Sequence, residues 1–347
     1  ADGICNGGSL IDFDQIMNRM CKINKRIITS IFYCWMTLIA FAQEAPFFTN
    51  KQLQYSYFNP AYIPELQYAT FSLGGRFQWT GLEGAPIDGF FSAKYFFLGA
   101  HSQVGVNVLY DKIGYQYIMN PKADYAFCIP FADDSYINFG LSAGMMCKGY
   151  DDTEIDLGPS ANGRIENLVY DKLEKGTAAD IDIGVEVLIQ NFEIGFAADH
   201  LLKGSDNVTM NRQFYGFSNY NFQSSEWWRL SPNYAFYYFK GDEGSKNVAK
   251  HQVGLDFYYV GDYDSKPTDL FYVGVAYRIP REASVRAGVT IGMFSIYYSY
   301  DYFFADLRYD SFGSHEVGLE FKIGQKDRGC FANYGKSRKK YTRYYRM

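Results

Sequence analysis

The sequence predicts an all-β protein, a transmembrane antiparallel β-barrel of the outer membrane with about 14 strands, or about 12 as the alternative. Three observations predict it. Apolar and polar side chains alternate from about residue 66 to residue 323. Ile181, Ile183, Val185, Val187 and Ile189, for example, interleave with Asp182, Gly184, Glu186 and Leu188. That is the period of a strand with one apolar and one mostly polar face. Aromatic residues make up 19% of the 347 residues, including 32 Tyr and 30 Phe, a load that suits girdles at two membrane interfaces. An export signal precedes the strands. Lipid accepts β-structure only as a closed barrel without unpaired edges. A secreted β-sandwich or propeller, the competing architecture, needs two packed inner faces and leaves the aromatic load unexplained. The mean hydropathy of -0.24 fits a barrel, because half of each strand is polar. A net charge of -5 with scattered acids and bases argues against nucleic-acid binding.

Residues 1–19 read as an upstream, non-native segment, with Met17 or Met20 as the expected start. Residues 20–42 read as a signal peptide. Lys22, Lys25 and Arg26 form its positive region, Ile27 to Phe41 its apolar stretch, and Ala40-Phe41-Ala42 its cleavage signature. The expected mature start is Gln43. The stretch falls short of the ~20 residues an uncleaved membrane anchor needs. Residues 43–65 form a lead-in with Tyr55, Tyr57, Phe58 and Asn59-Pro60-Ala61-Tyr62, where Pro60 and Pro64 argue against a regular helix or central strand.

The barrel is expected over 66–324. Strand-like segments fall near 66–79, 88–100, 103–111, 116–129, 135–148, 177–189 and 192–200, then near 232–240, 249–260, 270–279, 283–291, 293–302 and 314–323. Single-chain barrels carry even strand numbers. A further strand is therefore expected in one of the long connections, 149–176 or 201–231, for example around Phe214 to Phe222. With the N-terminus in the periplasm, both long connections fall on the outer side. Residues 325–347 form a basic tail, with Lys336, Arg338, Lys339, Lys340, Arg343 and Arg346 among tyrosines. It reads either as a periplasmic dock for lipid phosphates, cell wall or a partner, or as a frayed, solvated end.

Catalytic chemistry is not expected, and neither a cofactor nor a metal is called for. His101, His200, His251 and His315 show no metal-binding spacing. A Ser–His pair at His315 has no partner serine singled out by the sequence. Asp151-Asp152-Thr153-Glu154-Ile155-Asp156 lacks the calcium-loop spacing. Gly81-Leu82-Glu83-Gly84 reads as a hairpin loop. Cys128 and Cys147 read as spectator thiols, with a bridge between neighbouring strands as the alternative. Trp227-Trp228-Arg229 is expected in a long outer loop, as a protein interface or a lipid anchor.

Several segments resemble the PorP/SprF family of outer-membrane proteins of the type IX secretion system of Bacteroidetes. They are Asn59-Pro60-Ala61-Tyr62, Arg76-Phe77-Gln78-Trp79 followed by Gly84-Ala85-Pro86, Asp111-Lys112-Ile113-Gly114, and His200-Leu201-Leu202. Tyr298-Ser299-Tyr300-Asp301 and Gly313-Ser314-His315-Glu316 complete the set. The matches keep family order across nearly the whole mature chain. The resemblance implies structural or partner-binding roles for Asn59, Pro60, Ala61, Tyr62, Trp79, Gly84, Ala85, Pro86, Tyr300, Asp301, Gly313, Ser314, His315 and Glu316. It implies a barrel that binds, anchors or helps secrete cargo proteins such as surface adhesins, some tied to gliding motility. The implied partners are a secreted cargo protein with a type IX C-terminal domain, other components of the system and outer-membrane lipid. The alternative function is a transport barrel, or porin, for small or apolar solutes. From the residues alone, Gly313 to Glu316 is expected to start the last strand and to pin the barrel seam.

Overall fold

The computed structural model describes residues 47–64, 68–132, 135–151, 175–205, 207–223, 227–240, 247–263, 266–279, 281–304 and 311–324. The signal segment, the residues before it and the basic tail with Cys330 lie outside the described residues.

Fourteen strands form a closed barrel. They are β1 (Tyr68–Phe77), β2 (Ile87–Phe97), β3 (Ser102–Ile113), β4 (Gln116–Ala132), β5 (Ser135–Tyr150), β6 (Gly176–Ile189) and β7 (Phe192–Asp199), then β8 (Gln213–Tyr220), β9 (Trp228–Phe239), β10 (Val248–Tyr263), β11 (Lys266–Ile279), β12 (Glu282–Ile291), β13 (Phe294–Phe303) and β14 (Ser314–Gly324). Each pairs antiparallel with its neighbour. The seam closes β14 on β1, from Tyr68 opposite Gly324 to Phe77 opposite His315. No edge remains to be satisfied in lipid.

The alternation read from the sequence sets the two faces of the wall. Val104, Val106, Ile183, Val253, Leu255, Val273 and Val275 point outward and are exposed. Asn107, Asp124, Asp182, Glu186 and Asp256 point inward and are buried. The expected extra strand is β8, and its alternation is inverted. Its inward side chains include Tyr215 and Phe217, both fully buried, while Gly216 and Ser218 lie on its outward face. Aromatic residues face the lumen here because they pack on a segment inside it.

Connections at the two ends differ in length. The connections 78–86, 114–115, 151–175, 200–212, 240–247, 280–281 and 304–313 lie at one end, called here the long-loop end. The connections 98–101, 133–134, 190–191, 221–227, 264–265 and 292–293 lie at the other. Bacterial barrels keep their longer loops outside.

Three expectations are corrected. Pro60 does not keep the lead-in from forming a helix. Helix α1 (Lys51–Phe58) forms just before it, because a proline past the C-cap ends a helix without touching its interior. Trp227-Trp228-Arg229 does not lie in a long outer loop. It lies at the opposite end, where Trp228 and Arg229 begin β9 and Arg229 turns inward to Asp269, 2.5 Å away. Cys128 and Cys147 are on neighbouring strands but far apart along the ladder, opposite Asn138 and Met119. At ~3.4 Å per residue that separation is about 30 Å, beyond any bridge. Neither forms a disulfide.

Candidate functional site: the plugged lumen

Residues 47–64 fill the barrel lumen. Asn50 caps α1, its side chain accepting from the amides of Gln52 (3.0 Å) and Leu53 (3.2 Å). This satisfies two of the amides a helix start leaves open. At the other end the Asn59 amide donates to the Tyr55 carbonyl. The Asn59 side chain then accepts from the Ala61 amide at 2.9 Å, turning the chain after Pro60. Polar Lys51, Gln52, Gln54 and Ser56 are as buried as Leu53 and Phe58. A helix buried on all sides in a polar lumen needs polar residues around its whole girth, since the wall offers ions as well as rings.

The first anchor lies toward the long-loop end. Glu316 of β14 grips two backbone amides at once, Thr49 and Asn50, each at 2.7 Å. The Thr49 hydroxyl donates to Asp301 (2.8 Å) and accepts from Arg76 (3.0 Å) and Arg278 (3.1 Å). The Thr49 carbonyl accepts from Arg286 at 3.0 Å. Arg76 also pairs with Asp301, Glu316 and Glu282. Asp256 joins Lys51 of the plug (2.7 Å) to Arg286 (2.6 Å). Buried charges cost several kcal/mol each when unpaired; here each has partners of opposite sign or backbone donors.

The second anchor is steric. Asn59-Pro60-Ala61 lies in a groove lined by Gly140, Gly184 and Gly195. A Cβ on Gly184 would sit 2.0 Å from Asn59 Oδ1, and one on Gly140 2.1 Å from the Ala61 amide nitrogen. Only glycine leaves that space. Asn59 Nδ2 donates to the Val185 carbonyl (3.2 Å), and the Tyr62 carbonyl accepts from Lys94 (3.3 Å) and Gln103 (3.2 Å). Between the anchors Tyr55 stacks on Phe217 with ring centres 3.8 Å apart, and Phe58 stacks on Tyr215 at 4.7 Å. Leu53 packs into the space over Gly74 and Gly318. Replacing Gly184 by Val is expected to destabilise the barrel by about 1–3 kcal/mol through overpacking. Heat-modified gel migration of the purified variant checks this; an unchanged transition temperature would show that the groove yields to the added methyl groups.

A smaller cluster sits beside the plug. Lys122 lies 2.9 Å from Asp180 and 2.5 Å from Asp182, and His200 Nδ1 lies 2.9 Å from Asp180. The carboxylates and imidazole are close enough to share a metal ion, and the Lys122 ammonium is the cation placed between the carboxylates. His200 adopts a left-handed φ of 57° and donates its amide to Asp182. From there the chain folds inward, so that Val208 and Met210 pack on Ala178 and Met146.

The residues singled out by the sequence fall into three places. Asn59, Pro60, Ala61, Tyr62, Asp301 and Glu316 lie in the lumen, the first four at the glycine groove and the two acids at the ion lattice around Thr49. Trp79, Gly84, Ala85, Pro86, Gly313 and Ser314 lie at the long-loop rim. There the Trp79 amide donates to Ser314 Oγ (3.1 Å) and the Thr80 amide to the Gly313 carbonyl (2.8 Å) across the seam. The positive φ values of Gly84 (70°) and Gly313 (87°) suit glycine at both turns. Tyr300 and His315 face outward, with ring centres 5.2 Å apart. The sequence reading missed Thr49, Asn50 and Lys51, the charges Arg278, Arg286, Asp256 and Glu282, and the three groove glycines. A charge at an inward position midway along a membrane strand is the signal that marks Asp256 and Arg286.

A closed transmembrane β-barrel whose lumen is occupied by its own N-terminal segment belongs to the plugged class of outer-membrane barrels. The family is shown by the match itself: residues 40–321 fit the type IX secretion system membrane protein PorP/SprF, and the chain belongs to that family. No curated protein matches the chain. Among solved structures, the CymD monoaromatic hydrocarbon channel is similar at 12% identity and a TM-score of 0.46, over 79% of this chain and 93% of that one. The toluene transporter TbuX of Ralstonia pickettii is similar at 12% identity and a TM-score of 0.44, over 79% and 94%. The outer membrane protein Omp33 of Acinetobacter baumannii is similar at 10% identity and a TM-score of 0.39, over 75% and 100%. The family match carries the identification.

Proposed function

We propose that this barrel is a docking and anchoring subunit of the type IX secretion machinery. It receives a secreted cargo protein, one bearing the system's C-terminal domain, at its long-loop end and passes nothing through its own lumen. The observation that carries the reading is the plug. Segment 47–64 is held by ions, rings and a glycine groove on most of the wall, which leaves the rim and loops as the working surface. Gripping it with loops suits a closed barrel whose free surface is its rim. The signal peptide, cleaved after Ala42, brings the chain to the outer membrane, and other components of the system supply the motor and the translocation pore. The barrel's part is not enzymatic.

The test is deletion of the protein in its native host. Its cargo is expected to remain unsecreted or to be shed into the medium while the membrane stays intact. Normal surface display of every cargo protein in that strain would sink the proposal. Pull-down of the detergent-solubilised barrel, followed by mass spectrometry, names the partner.

A further inference from the structure

Two matched pairs on the outer wall take no part in holding the plug. Tyr234 of β9 meets His251 of β10, hydroxyl to Nδ1, at 2.7 Å. Tyr298 of β13 meets His315 of β14 in the same way at 2.8 Å. In both cases a ring two residues past the tyrosine flanks the imidazole, Phe236 at 5.1 Å and Tyr300 at 5.2 Å. The same trio thus stands on two separate hairpins. Both histidines lie near the long-loop ends of their strands. They share the outward face with Val253 and Leu255 in β10 and with Val317 and Leu319 in β14, all exposed.

A phenol is the better donor and an imidazole the better acceptor, so each tyrosine hydroxyl donates to Nδ1. The neutral ring then carries its hydrogen on Nε2, and the protonated ring keeps it there. Among the described residues neither Nε2 has a hydrogen-bond partner. An N–H on a lipid-facing wall must find an acceptor at the interface. Exposed cations stand on the rim above: Arg212 and Lys240, joined through their backbones near His251, and Arg281, joined to Phe304 beyond the end of β13. The strongest acceptor in that layer is a phosphate, and a charged acceptor shortens and strengthens such a bond.

We infer that the two Tyr–His pairs are headgroup sites, each holding a phosphate of an anionic lipid in the leaflet at the long-loop end. The tyrosine fixes the imidazole tautomer, the imidazole donates to the phosphate, and the rim cations add long-range attraction. The flanking ring covers the apolar side of the site.

Native mass spectrometry of the full chain in mild detergent tests this, with phosphorylated lipid A and the same lipid stripped of its phosphates as probes. The barrel is expected to retain two phosphorylated lipids, and to bind the stripped lipid roughly tenfold or more weakly, as loss of a charge-assisted bond implies. His251→Phe and His315→Phe each remove one bound lipid, and the double variant removes both. Phenylalanine is an ordinary outward residue of this wall, so the barrel folds. Tyr234→Phe, which deletes only the hydroxyl, weakens the first site. His101→Phe, at the opposite end, leaves both lipids in place. Equal binding of the two probes, or two lipids kept by the double variant, overturns the inference.

Discussion

Deleting residues 47–63 is expected to turn a silent barrel into one that conducts ions across a planar bilayer. The wall does not depend on the plug for its hydrogen-bonded ladder, which closes from β1 through β14 without it. What the plug takes away is the set of partners for Glu316, Asp256, Lys94 and the stacked rings Phe217 and Tyr215. Water entering a polar lumen solvates the first three, so the barrel persists with its charges hydrated. Exposed rings and lost stacking lower its stability. They do not open the ladder, because lipid still forbids an unpaired strand edge. Stepwise current from the shortened protein and none from the intact one is the expected record. Current from the intact protein at the same size would show that the plug leaves readily, and the docking proposal would lose its main support.

Glu316→Ala carries the second large effect. One carboxylate accepts from two plug amides and from Arg76, and its removal leaves the amides orphaned and a buried guanidinium short of a partner. Breaking one side of a buried ion pair costs about 3–5 kcal/mol. Gln in its place keeps one acceptor and is expected to cost about half as much. The temperature at which the detergent-solubilised barrel loses its compact gel migration measures both. A value for Glu316→Ala equal to wild type would mean that Asp301 and Arg286 hold Thr49 without help.

Most of the wall is legible in the sequence because lipid imposes one rule, an apolar side chain at every second position. Val253, Leu255 and Phe257, or Phe271, Val273 and Val275, obey it without exception. The rule fails where the lumen makes its own demand. β8 hides because Tyr215 and Phe217 face inward to stack on the plug while Gly216 and Ser218 face out. The plug itself is illegible for a related reason. Lys51 to Phe58 is buried on all sides among ions and rings, so it shows no apolar stripe. Pro60 then reads as a helix breaker when it only marks the helix end. The site was half visible: Asp301, Glu316 and the Asn59–Tyr62 turn stand out through their family resemblance. Thr49, Arg286 and the groove glycines are defined by partners on distant strands or in the plug, which no local pattern records. Trp227 and Trp228 read as belonging to a long outer loop unless β8 is counted, which places them at the other end of the barrel.

The seam and the plug share their fastenings. Arg76 stands on β1 and Glu316 on β14, and both bind Thr49. The consequence is for biogenesis. The segment that precedes the wall waits on groups of its last strands, so a chain lacking β13 and β14 has neither carboxylate with which to hold Thr49. Seating the stopper therefore waits on sealing the cylinder, and an assembly factor that delivers β14 to β1 delivers the lock as well.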